Sequence, residues 1–364
     1  MIQEASRKPA VKVFWNKNNV TTQIEKYTSK ITFHDHEEDA SDELELVMDN
    51  TSGIWFEDWY PTTGDTLQLY VGYQDKLIDT GLFEVDEITL NGMPDQITIK
   101  AISAGITQAL RTRNNKAFEQ QTLKQIAQYF CNKHGFTLVD GSNMLNQIWL
   151  DRKTQENKTD LAFLSELAKE YGFMFSIKGV KMVFISYYDM ENTTSVAEID
   201  KTQLKDYNIT EKTYDTYASA EIRQRNPKKG KLITMNNSYQ DWSGNTVKEK
   251  LVVSGSVSSA PQAEAKVKGG LWNKNKYKQS GTVTLVGEPL LIAGQNIDLT
   301  GLGLASGKYH VPSSTHTIDQ SSYVTLLEVR KTGTIPKPKR VPRTKPPKPT
   351  TAETAQEDTG EWED

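Results

Sequence analysis

The chemistry this chain could perform rests on a short set of side chains. His34-Asp35-His36-Glu37-Glu38-Asp39 is the cluster with metal-ligand character. Two histidines alternating at a strand end share a face, and carboxylates could complete a site. No separate third ligand is evident and a Ser-Asp-Glu turn follows, so the segment reads as a solvated acidic loop. Asp58 and Asp65 flank the aromatic stretch Trp55-Phe56-Glu57-Asp58-Trp59-Tyr60. Paired carboxylates beside aromatic rings could cut glycans. Nothing in the sequence sets their separation, and an aromatic-rich interface or packed loop accounts for the same residues. His316 lies on or beside a strand and reads as structural. Cys131 is the single cysteine, which excludes an intrachain disulfide and a cysteine-based zinc site. It falls on the apolar face of a helix and reads as a buried, inert thiol. Gly301–Lys308 sets glycines near a lysine at the wrong spacing for a phosphate loop and reads as a loop between strands. G-x-S-x-G, H-E-x-x-H and G-x-x-x-x-G-K-[ST] are all missing. We therefore expect no catalytic, cofactor or metal site.

The elements that would position these residues are easier to read. Thr159–Ile177 (TDLAFLSELAKEYGFMFSI) predicts a helix, a glycine stop and a strand. Thr159 or Asp160 can accept from the open N–H groups of the first turn. Leu161, Leu164, Leu167, Ala168 and Tyr171 share one face, with Glu166, Lys169 and Glu170 on the wet side. Gly172 can take the left-handed conformation that ends a helix, and Phe173, Phe175 and Ile177 alternate as in a strand. Thr122–Val139 repeats the unit: Ile126, Ala127, Phe130, Cys131, Gly135, Phe136 and Leu138 fall on Phe163, Leu164, Leu167, Ala168, Gly172, Phe173 and Phe175. Two copies imply two helices on a short sheet, too few for a solenoid. On either side the pattern is β. Residues 9–105 carry several short alternating segments, among them Glu43–Val47, Thr66–Val71 and Gln96–Ile102, which argues for an antiparallel sandwich or barrel. Residues 200–333 return to strands, with a hairpin around Asn226–Gly230 and a short helix at Pro261–Gly269.

Composition bounds the rest. A length of 364 residues suggests two to three domains. Net charge is −4, so no global field points to nucleic acid or an anionic membrane. The start lacks a signal-peptide pattern and no stretch reaches membrane-span length, so we expect a soluble protein made in the cytoplasm. Residues 336–350 hold six prolines, six Lys or Arg and no acid, and residues 351–364 hold six acids and no base. The first reads as an extended polyproline-type tether and the second as disordered.

Three passages together resemble the phage late control protein D family, the hub of contractile tail baseplates, and the hub half of type VI secretion spike proteins. Asp42–Asp49, continuing through Gly64–Leu67 to Gly81–Ile88, is similar to the family's first barrel. Asp160, Phe163, Leu164, Leu167, Ala168, Gly172 and Phe173 resemble its helix–glycine signature, with Glu166 standing where the family often has Arg. Leu290–Val329 resembles its closing barrel. The resemblance implies an α+β, mainly β fold: a first β-barrel at 1–110, a small α/β module at 111–198, a second barrel at 199–334 and a tail at 335–364. It implies a structural, non-enzymatic homotrimer, a ring joining a sixfold tail tube to a threefold spike and lining the channel. Expected partners are a separate spike protein, a tube or tube-initiator protein, other baseplate proteins and a tape measure protein, without stable membrane or sequence-specific nucleic-acid binding. Its place would be a virion tail or injection-system baseplate. A peptidoglycan-degrading baseplate enzyme, resting on Asp58 and Asp65, is the alternative.

Overall fold

The computed structural model describes residues 8–332, apart from 38–40, 75, 105–107, 226–231, 239–248, 256 and 258. The expected tail and the Asn226–Gly230 turn lie outside the described residues. The first lobe holds β1 (Pro9–Trp15), β2 (Asn18–Asn19), α1 (Thr21–Ile24), β3 (Thr28–His36), β4 (Glu43–Asp49), β5 (Thr66–Tyr73), β6 (Lys76–Asn91) and β7 (Gln96–Ser103). Alternation puts Leu44, Leu46 and Met48, then Leu67, Leu69 and Val71, then Ile97, Ile99 and Ala101, on one inward face. They meet Val13, Ile31 and Phe83 in a single core.

The middle module holds α2 (Gln108–Arg111), β8 (Arg113–Thr122), α3 (Leu123–His134), β9 (Thr137–Asp140), β10 (Trp149–Thr159), α4 (Asp160–Glu170), β11 (Phe173–Lys178), β12 (Lys181–Ser186) and α5 (Tyr187–Asn192). Each long helix has the cap its sequence calls for. Thr122 and Gln125 form a reciprocal capping box before α3. Thr159, rather than Asp160, caps α4 by accepting from the N–H of Ala162 at 3.1 Å. Gly135 and Gly172 end the two units at φ 76° and 78°. Strands β9 and β11 flank β12 in one sheet, so both units contribute a helix and a strand to one core.

The second lobe holds β13 (Ala197–Asp200), β14 (Leu204–Glu211), an excursion comprising β15 (Ser219–Arg225), β16 (Leu232–Ser238), β17 (Lys250–Val252) and α6 (Ala260–Asn275), then β18 (Gln279–Val286), β19 (Asn296–Thr300), β20 (Gly307–Asp319) and β21 (Tyr323–Lys331). Its core is built around Val283, Ile297, Leu299, Tyr309, Leu327 and Val329. Strands β13 and β14 are separated by one short turn; the first pairs with β19 and the second with β18. One bent segment therefore spans both margins of the lobe.

Both lobes belong to one thirteen-stranded sheet, ordered β14-β18-β21-β20-β3-β4-β7-β6-β5-β1-β2, with β19 and β13 branching from β20. Strand β20 is the seam. Its first residues pair with β19, and Ser313–Asp319 pair with β3. The change of partner falls at Pro312, beside a register shift between His310 and Ser313, where proline has no N–H to continue a ladder.

Two expectations are corrected. His34–His36 belong to β3, not to a solvated loop, and Asp35 and Glu37 are 6% and 4% exposed. The helix expected to stop before Gly269 runs through Gly269 and Gly270 to Asn275. Its glycines are there for contact: a Cβ on Gly269 would lie 2.5 Å from the backbone N of Gly172.

Candidate functional site

Three groups of buried polar side chains lie where parts of the fold meet. At the first junction, the Nε2 of His310 on β20 lies 2.7 Å from Glu37 Oε1, and its Nδ1 lies 2.7 Å from Asn296 Oδ1. Asn296 Nδ2 donates to the Met190 and Thr193 carbonyls at 2.9 and 3.0 Å, tying β19 to the end of α5. Arg330 on β21 donates to Glu191 at 2.9 Å and pairs with Glu37 at 3.6 Å. Its guanidinium sits 4.4 Å above the ring of Trp272, whose Nε1 donates to the same Glu191 oxygen at 2.8 Å. Trp272 in turn stacks on Tyr187. First lobe, second lobe, module and α6 are thus held by one connected set. Burial pushes the Glu37 carboxyl up, but the His310 hydrogen bond and the charges of His310, Arg330 and Lys276 outweigh it and hold it below its usual value.

At the second junction, Lys178, at the end of β11, donates to Asp35 and Asp42 at 2.8 Å and to the His36 carbonyl at 3.0 Å. The other Asp35 oxygen accepts from the N–H of Ala293 at 2.8 Å. Burial disfavours the Lys178 charge, but two carboxylates outweigh it and raise the pKa. Asp42 is raised, chiefly by burial and further by Asp35, against the pull of Lys178. Two carboxylates share one ammonium, and desolvation bears hardest on the second.

The third junction is internal to the module. Asp160 is fully buried and accepts from four side chains: Lys133 at 2.6 Å, His134 at 2.8 Å, Gln155 at 2.8 Å and Asn114 at 3.1 Å. Lys133 and His134 close the first helix, so Asp160 ties one helix–glycine–strand unit to the other. Burial pushes its carboxyl up, and the hydrogen bonds from Gln155, Lys133 and His134 bring it below its usual value. The other motif residues, Phe163, Leu164, Leu167, Ala168 and Phe173, line the module core, with Phe163 stacked on Phe118 at 5.6 Å. Gly172 faces Gly269. Glu166 pairs with Lys158 on the exposed side. Glu170 is not on the wet side: it is half-buried and pairs with Lys153 and with Lys266 of α6.

The residues first considered for chemistry have structural surroundings. Asp65 accepts from Trp15 Nε1 at 2.9 Å, Asn16 Nδ2 at 2.8 Å and the N–H of Thr62 at 3.2 Å. Asp58 is exposed beside a cleft formed with Trp59 and Tyr60. His316 is buried, stacked on Phe33, with Nε2 3.1 Å from the Leu291 carbonyl. Burial pushes its pKa down to about 4. Burial likewise pushes the Cys131 thiol up to about 11. Among the described residues, no group of three or more His, Cys, Asp or Glu is placed to hold a metal ion. The junctions escaped sequence reading because their partners are remote. A run of acids and histidines beginning on a strand was the available signal.

No family model matches the sequence. A probable baseplate hub protein of Escherichia phage 186 is 28% identical over 178 residues, or 49% of this chain and 45% of that protein. The chain is a relative of phage baseplate hub proteins. The match spans about half the length of that hub protein. The 43 kDa tail protein of prophage MuSo2 from Shewanella oneidensis superposes with a TM-score of 0.66 at 15% identity, covering 88% of this chain and 98% of that one. An Escherichia coli type VI secretion component, described as similar to bacteriophage T4 tail proteins, gives 0.52 at 12% identity, covering 83% and 73%. At these identities the likeness to the solved structures is one of fold. The hub resemblance read from the motifs therefore stands on sequence relatives, and the mainly β fold on both.

Proposed function

We propose that this chain is the central hub of a contractile tail or tail-like baseplate. It works as a homotrimer, a ring that adapts a sixfold tail tube to a threefold spike and lines the channel. The observation that carries the reading is the seam: one chain holds two β lobes fused edge to edge through β20 and β3. Three such chains offer six lobes to one neighbour and three equivalent faces to the other, which is the symmetry an adaptor needs. The division is that of a first lobe closing with β7, a module from α2 to α5 and a second lobe opening with β13. The buried junctions suit a part that transmits force, because they join lobes and module without relying on loop contacts alone. Its partners are a spike protein, a tube or tube-initiator protein and other baseplate proteins, with a tape measure protein within reach of the channel. It is made in the bacterial cytoplasm and assembled into the tail.

The role is structural. The carboxylate pair behind the enzyme alternative gives that reading little support, because Asp65 already accepts three donors. Mixing the purified chain with the spike and tube proteins encoded beside it tests the proposal. Co-migration with both on a sizing column is expected; binding to neither overturns it.

A further inference from the structure

At one end of the first lobe, Trp15, Trp55, Asp58, Trp59, Tyr60 and Asp65 line an open cleft of about 390 Å³. Trp55 is the floor, stacked on Trp15 at 6.5 Å and edge-on to Trp59 at 5.5 Å. Tyr60 is 50% exposed, and Asp58 and Glu57 beside it are exposed. Aromatic walls with acids at the rim are the chemistry that recognises a basic polyproline-type helix. The rings take proline faces, and a carboxylate fixes an adjacent cation.

The chain carries such a segment. Arg343-Thr344-Lys345-Pro346-Pro347-Lys348-Pro349 repeats Arg, Pro and Pro at every third position. A polyproline II helix has three residues per turn, so Arg343, Pro346 and Pro349 share one edge. We propose that this aromatic cleft is a docking site for Pro342–Pro349 of the same chain, with Pro346 and Pro349 on the rings and Arg343 at Asp58. The reach is comparable to the span. Tyr27, packed on Trp55 and Trp59, marks the cleft end of β3, and Lys30 there pairs with Asp319 at the end of β20. From that hairpin β21 runs nine residues away, about 30 Å at ~3.3 Å per residue. Eleven residue-to-residue steps lead from Thr332 to Arg343, and they span roughly 34 Å at ~3.1 Å each. The inference does not depend on the trimer.

Two readouts on the full chain test it. Carbodiimide treatment of a mixture of isotopically labelled and unlabelled protein should link Asp58 to Lys345 or Lys348 within one chain. Trypsin should cut after Arg343 about tenfold more slowly in the wild type than in Asp58→Lys, because cleavage follows the undocked fraction. Asp58 is exposed, so Asp58→Lys keeps the fold, and an unchanged melting temperature verifies this. Trp59→Ala should expose the same bond. Equal cleavage in wild type and Asp58→Lys, links only between labelled and unlabelled chains, or links from the lysines only to residues 351–364 would each overturn the proposal.

Discussion

Gly135 and Gly172 end the two helices of the module with nearly the same backbone, φ 76° and 78°. A Cβ on Gly135 would meet nothing within 4 Å, whereas one on Gly172 would lie 3.1 Å from the Cα of Gly269. The first unit is a local device whose glycine answers only a conformational need. The second answers that need and also lets α6 approach backbone to backbone. Around that contact, Lys266 reaches Glu170, Gln262 Nε2 donates to the Tyr171 hydroxyl at 3.2 Å, and Asn273 Nδ2 donates to the Lys169 carbonyl at 3.0 Å. Helix α6 then delivers Trp272 to the junction of Glu191 and Arg330. Two stretches of similar sequence thus do different work, and the difference lies in what packs against them.

The comparison can be broken at several points. The largest effect should come from Asp160→Ala, which removes the acceptor joining both units and leaves buried donors unpaired. A loss of about 4 kcal/mol in unfolding free energy is expected from urea denaturation. Gly269→Ala should cost about 3 kcal/mol, because the new methyl meets backbone that cannot rotate away. The paired test of the two glycines sharpens the contrast. Gly135→Ala should cost about 1 kcal/mol through its left-handed backbone alone, and Gly172→Ala at least about 2 kcal/mol through backbone and contact together. Equal losses at the two positions would contradict the division of roles.

The smallest effect near neutrality is that of pH. Burial pushes Glu37, Asp160 and Glu170 up, but their hydrogen bonds and cationic partners bring all three below their usual values. A carboxylate lowered in the fold contributes stability that is fully present above its unfolded value and is lost as pH falls through the folded one. For these three the unfolding free energy should therefore fall below about pH 4, while His316, kept neutral in the fold down to about 4, should add a decline that begins near pH 6.5, where the unfolded chain takes up its proton. A chemical-denaturation series across that range checks the sign, and Asp160→Asn should flatten the acid limb.

Local signals carried much of this fold. Thr122, Thr159, Gly135 and Gly172 mark helix ends in the sequence because capping and positive φ are properties of a few adjacent residues. The alternation of β4, β5 and β7 shows one covered face for the same reason. What stayed hidden is non-local. Asp35 and Glu37 look like solvent-facing acids until Lys178, His310 and Arg330 arrive from more than a hundred residues away. Gly269 and Gly270 look like a helix stop because nothing nearby announces Gly172. The β20–β3 seam joins segments at opposite ends of the described chain, and no local pattern encodes such a pairing. The hub motif was legible as packing; the junction at Asp160 emerged only when His134, Gln155 and Asn114 were placed around it.

The central claim, that two lobes in each chain build a threefold ring with sixfold character, is tested most directly by solution mass. Light scattering on the purified chain at micromolar concentration, alone and with its spike and tube neighbours, should give a hub mass three times 41.1 kDa. A hub that stays at one chain mass in both preparations would contradict it.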